Sequence, residues 1–196
     1  MNRLHIIFIP GLGDHKAYGQ DKAVRLWRLY GVRPQYHAVG WATGSWDEKE
    51  RKLLTEIDQY LAKGDRVGLV GFSAGASAAF NVFMARSDKL AGAVLISGKI
   101  RGSGNLSAGR RANNAFVESL DQAAQSVTGL SAGQKTRLLT IYPKHDPVVS
   151  YADASLPGVV MRRSPATSHQ LSVAYSLTVG AFTIIRFLRR AGKSLT

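Results

Sequence analysis

Cysteine is absent from the 196 residues, which excludes disulfides and every metal or redox site built on thiolates. Acidic side chains are scarce: 13 Asp and Glu stand against 26 Lys and Arg, a net charge of +13. Such a balance attracts nucleic acid, anionic lipid or acidic substrates, without choosing among them. Long apolar runs are missing as well. The run at 6–9 is shorter than the roughly 7 to 15 residues of a signal-peptide core. The uncharged stretch near the C-terminus, 170–185, carries Ser172, Ser176, Thr178 and Thr183 and falls short of the ~20 residues a membrane span needs. The expectation is a cytoplasmic protein.

What is present is a globular balance, 45% apolar and 20% charged, with no repeat or linker that would divide the chain. One domain over residues 1–196 is expected. Apolar runs at 4–9, 33–41, 66–71, 91–98, 136–143 and 158–163 read as strands. Helical periodicity fills 18–30, the stretch from Ser45 or Asp47 to Gly64, 73–85 and 172–190. Strands alternating with helices predict an α/β fold: one doubly wound, mostly parallel six-stranded sheet with helices on both faces. Residues 99–136, with a helical pattern only around 115–124, read as an inserted cap or lid segment.

The stretch "GLVGFSAGAS" (68–77) places Ser73 between Gly71 and Gly75, where a buried strand becomes a helix. A serine presented on such a strained turn leaves no room for side chains beside it, and the flanking glycines remove that obstacle. The helix that begins there aims unpaired N–H groups at negative charge forming near Ser73.

A serine hydroxyl needs a base and an orienting acid. Useful residues of a doubly wound sheet lie beyond the carboxyl ends of its strands, which disfavours His5 and His37, within strands. His169, between the last strand and the last helix, is the candidate base, and His145 reads as a solvated loop residue. Asp146, after the fifth strand and ahead of Pro147, is the candidate acid, with Asp153 as the substitute. Donors for a developing oxyanion would come from the N–H of Ala74 and from the loop "PGLGDH", where Leu12 is the first choice and Gly11 the alternative.

The order serine, aspartate, histidine, with "PGLG" upstream and "GFSAG" at the elbow, resembles the α/β-hydrolase superfamily from Leu4 to about Leu188. The resemblance implies Ser73, Asp146 and His169 as nucleophile, acid and base, and Leu12 and Ala74 as oxyanion donors. It departs in having no counterpart of the first two strands before Leu4, "PG" in place of "HG", and a minimal cap. The implied activity is a serine hydrolase cleaving a small to medium ester, thioester or amide, with a small-molecule acyl substrate and no cofactor or metal.

Trp41 and Trp46, after the second strand, are candidate pocket residues. Arg101, with Lys99, Arg110 and Arg111 in the segment expected to overhang Ser73, suggests a preference for anionic acyl groups. The alternative class is a noncatalytic binding protein on the same fold whose basic surface holds an anionic partner. No nucleic-acid reader module is recognisable. Arg186, Arg189, Arg190 and Lys193 suit the negative end of the closing helix, and a peripheral contact with anionic membrane is the partner reading they leave open.

Overall fold

The computed structural model describes residues 3–195, with side chains through Lys193. Six strands, β1 (Leu4–Ile9), β2 (Arg33–Tyr36), β3 (Arg66–Phe72), β4 (Gly92–Ile96), β5 (Leu138–Pro143) and β6 (Val160–Ser164), form one sheet in the order β2-β1-β3-β4-β5-β6. Every pairing is parallel. The sheet is an α/β sheet of the doubly wound kind, as the sequence predicts.

Strand alternation builds two cores. Ile7 and Ile9 of β1 and Leu69 of β3 face one layer of helices, α2 (Trp46–Ala62), α3 (Ala74–Ala85) and a later α5 (Asn114–Val127). Leu4, Ile6 and Phe8 face the other, formed by α1 (Gln20–Arg25), a 3-10 stretch (Leu26–Tyr30), α8 (His169–Leu177) and α9 (Ala181–Ala191). A strand covered on both sides reads as one continuous apolar run, which is why "LHIIFI" shows no polar alternation beyond His5. α3 is buried from Ala74 to Phe83, because sheet, α2 and α5 enclose it.

Residues 99–136 hold α4 (Ala108–Arg111), α5 and α6 (Ala132–Thr136); two short connections complete the chain, α7 (Tyr151–Ala154) and a 3-10 end (Gly192–Leu195). α5 runs longer than its predicted core of 115–124 and joins the layer itself. Phe116, Leu120 and Ala123 enter the core beside Phe80 and Phe83.

Three predicted elements differ. The second strand stops at Tyr36 instead of 41, and Gly40 then takes a left-handed φ of 74°. The helix expected over 18–30 begins at Gln20, because Tyr18 and Gly19 have φ of 49° and 79°, and it tightens to 3-10 geometry from Leu26. The closing helix is two helices bent by 68°. The Thr178 hydroxyl donates to the Ala174 carbonyl at 2.7 Å and the Gly180 N–H to the Tyr175 carbonyl at 2.8 Å, ending α8. Among the described residues no single helix is long and apolar enough to cross a membrane.

Candidate active site

The strand order reverses between β1 and β3, whose following helices pass to opposite faces, and a doubly wound sheet opens a crevice at that point. Ser73 stands there. Its φ of 54° and ψ of −118° lie in a region sparsely populated by non-glycine residues, a strain of about 1 to 3 kcal/mol held by the surrounding structure. The Ser73 N–H extends the β3–β4 ladder by donating to the Ile96 carbonyl at 2.9 Å.

The two flanking glycines are required by contact. A Cβ on Gly75 would lie 2.1 Å from the Ile9 carbonyl oxygen, and one on Gly71 would lie 2.1 Å from the Gly75 carbonyl oxygen. Gly98 makes the same allowance on the other side, with Ala76 Cβ 2.1 Å from its missing Cβ. The first turn of α3 is thereby seated against the ends of β1 and β4. Ala74 and Gly75 open α3, where N–H groups have no intrahelical acceptor.

The loop after β1 closes over the serine. A Cβ on Gly11 would sit 3.0 Å from Ser73 Cβ and 3.5 Å from Ser73 Oγ, so this backbone and the Ser73 side chain are neighbours. Leu12 is partly exposed beyond it. Asp14 anchors the loop, its buried carboxylate accepting the Gly40 N–H at 2.6 Å. Leu12, Gly13, Lys16, Gln20, Phe72 and Gln170 are among the residues around a cavity of about 360 Å³ on this side.

His169 and Asp146 meet because two loops are zipped together. β5 and β6 pair as far as Pro143 and Ser164, and the Lys144 N–H continues the ladder to the Ala166 carbonyl at 2.8 Å. Ser168 caps α8 by accepting the Leu171 N–H, which sets His169 at the first helical position. His169 Nδ1 then lies 2.8 Å from Asp146 Oδ2, and both side chains are buried. Burial alone would raise the Asp146 pKa. The hydrogen bond from His169, the N–H groups of Val148 and Val149 at 2.8 and 3.0 Å, and the charge of His169 outweigh it and hold the carboxyl below its usual 3.8. The His169 ring packs on Phe72, centroids 4.9 Å apart, one residue before Ser73. The Ser73 hydroxyl itself has no hydrogen-bond partner among the described residues.

Of the two candidate acids, His169 meets Asp146. Asp153 lies 2.9 Å from Lys99 Nζ instead, and this pairing neutralises one of the cations predicted to favour anionic acyl groups. Arg101 Nε donates to the Ser155 carbonyl at 3.3 Å. Trp41 and Trp46 are buried, their rings stacked 5.9 Å apart. Trp41 Nε1 donates to the Pro10 carbonyl at 3.4 Å, and the Trp46 indole is bound to Gln122 of α5. Both rings brace the β1 loop and α5 from beneath.

Sequence reasoning passed over three residues. Phe72 supports the imidazole, Asp14 ties down the β1 loop, and Ser97, buried at the end of β4 with φ 49°, donates to Ser172 Oγ at 2.9 Å, one turn into α8 from His169. The "SG" closing the fourth strand is the only local signal for the last.

No protein-family model and no curated protein sequence matches the chain. Solved structures do. Est1E from Butyrivibrio proteoclasticus superposes with a TM-score of 0.71 at 14% identity, over 97% of this chain and 88% of that one. A thermophilic esterase from Thermogutta terrifontis gives 0.64 at 13% identity, over 97% and 91%. YbtT, a type II thioesterase of the yersiniabactin biosynthetic pathway, gives 0.61 at 16%, over 97% and 94%. With these neighbours and a sheet wholly parallel in the order β2-β1-β3-β4-β5-β6, the chain has the α/β-hydrolase fold.

Proposed function

We propose that the protein is a serine hydrolase that cleaves a small to medium ester, thioester or amide through an acyl-enzyme. The observation that carries this reading is the buried Asp146–His169 hydrogen bond beside the strained turn at Ser73. Neighbours described as esterases and as a thioesterase support it at the level of reaction class.

With Nδ1 of His169 donating to Asp146, Nε2 is the nitrogen free to take a proton. The Ser73 Oγ attacks the substrate carbonyl carbon as its proton passes to Nε2, and the tetrahedral oxyanion takes N–H donors from Ala74 and from the Leu12 or Gly11 backbone. Collapse expels the leaving group, which receives the proton from Nε2. Water then attacks the acyl-enzyme by the same route, releasing the acid and restoring the Ser73 hydroxyl. Approach of substrate draws the Ser73 hydroxyl and imidazole into line, since catalytic hydrogen bonds often tighten only in the complex. The cavity of about 360 Å³ beside Leu12 has room for a small acyl or alcohol group.

A fluorophosphonate probe, followed by peptide mass spectrometry, tests the reading. The adduct is expected on Ser73, absent in Ser73→Ala and reduced in His169→Ala. Absence of labelling in folded protein would return the chain to the noncatalytic binding class.

A further inference from the structure

The helical layer of α1, α8 and α9 exposes apolar side chains that the proposed chemistry does not use. Leu29 is 84% exposed, Val179 74%, Leu26 60% and Phe182 52%. Single exposed apolar residues are ordinary, but these are gathered. Leu26 and Leu29 are one turn apart in the 3-10 stretch, the rings of Tyr30 and Phe182 lie 6.4 Å apart, and Trp27 Nε1 donates to the Leu177 carbonyl at 2.9 Å, fixing the stretch beside the α8–α9 bend.

Around them positive charge predominates. Lys22, Arg25 and Arg28 come from α1 and the 3-10 stretch; Arg186, Arg189 and Arg190 come from α9, where Phe182, Arg186 and Arg189 follow helical spacing along one exposed face. Asp21 is the only acid in 17–30, and 169–195 contains none. A helix dipole suits the cations in the last turns of α1, the 3-10 stretch and α9, but not the apolar centre that they surround.

We infer that this face docks on an anionic bilayer surface, with Leu26, Leu29, Val179 and Phe182 entering the headgroup boundary and the surrounding arginines meeting lipid phosphates. An apolar centre with a basic rim is complementary to that interface. A second copy of the chain is a poor occupant, because a two-fold contact would press the same arginines against each other. The pair α8–α9 lies on the surface and does not span it: Val173, Leu177, Ile184, Ile185 and Leu188 are buried against the sheet. The inference stands apart from the hydrolase reading, since none of these residues serves the site at Ser73.

Vesicle co-sedimentation tests it, with phosphatidylcholine vesicles compared with the same vesicles containing phosphatidylglycerol. Pelleting is expected with the anionic vesicles at low salt and is lost at high salt. Arg25→Gln, Arg28→Gln and Arg186→Gln together should weaken partitioning about a hundredfold, at roughly fivefold per charge. Leu29→Ser with Val179→Ser, the two most solvent-exposed of the four, should weaken it about tenfold while leaving the unfolding midpoint unchanged. Three results overturn the inference: no pelleting at low salt, equal binding by the serine double variant, which means charge adhesion alone, or a dimer whose interface the same substitutions abolish.

Discussion

His169 Nδ1 and Asp146 Oδ2 are 2.8 Å apart in a setting where Asp146 also takes two backbone N–H groups through its other oxygen. Orientation of the imidazole therefore rests on a carboxylate that is itself held by two backbone N–H groups. Asp146→Asn, which can accept a proton bond but carries no charge to stabilise imidazolium, should lower kcat about ten-thousand-fold toward an activated ester. Asp153→Asn, whose partner is Lys99, should leave kcat unchanged; steady-state kinetics on the pair checks both.

Glycine substitutions separate contact from conformational freedom. Gly75→Ala drives a methyl to 2.1 Å from the Ile9 carbonyl oxygen and should cost about 3 kcal/mol or more. Gly133→Ala, in α6 with nothing within 4 Å of the new methyl, should add about 0.5 to 1 kcal/mol. Urea unfolding of both, with the parent, provides the comparison.

The buried pair Ser97 and Ser172 links the end of β4 to the helix that carries His169. Ser172→Ala strands the Ser97 hydroxyl and should cost about 1 to 3 kcal/mol. Ser97→Ala with Ser172→Ala should cost less than the sum of the two single changes, because no polar group is then left without its partner. A double-mutant cycle in urea gives the coupling directly.

His5 sets a pH dependence of stability far from Ser73. Burial lowers its pKa below 6.5; attraction to Asp65, 3.2 Å away, works in the opposite direction, while Arg33 and Lys63 reinforce the lowering. The unfolded chain therefore binds this proton more readily than the folded one. Its contribution is fully present above pH 6.5 and declines as pH falls below that value toward the folded-state pKa. His5→Phe, which preserves the stack on Tyr60 at 4.3 Å, should flatten the fall in Tm between neutral and mildly acidic pH.

The four central strands, β1, β3, β4 and β5, were legible because burial on both faces leaves apolar runs, and Ser73 was legible because close backbone contact restricts its flanks to glycine. The pairing of His169 with Asp146 rather than Asp153 came from placing both beyond strand ends, whereas the bond that joins them depends on the β5–β6 ladder, which no local pattern reveals. The closing helix read as continuous because Thr178, Val179 and Gly180 are compatible with apolar periodicity. Only the bonds from Thr178 to Ala174 and from Gly180 to Tyr175 break it. Trp41 and Trp46 lie on the expected side of the sheet, where α5 packs against both and Trp41 borders a cavity of about 330 Å³; the packing of α5 on α3 is a tertiary fact.

The sheet has two open edges, and both carry their own protection. β2 begins with Arg33 and Pro34, while β6 turns Arg162 and Arg163 to solvent. Each edge is a ladder that another chain could extend; proline withholds a donor there, and like charges repel an incoming copy. Part of the positive charge thus opposes edge-to-edge pairing of two copies, and neutralising Arg162 and Arg163 would remove that repulsion at β6, a strand without a proline.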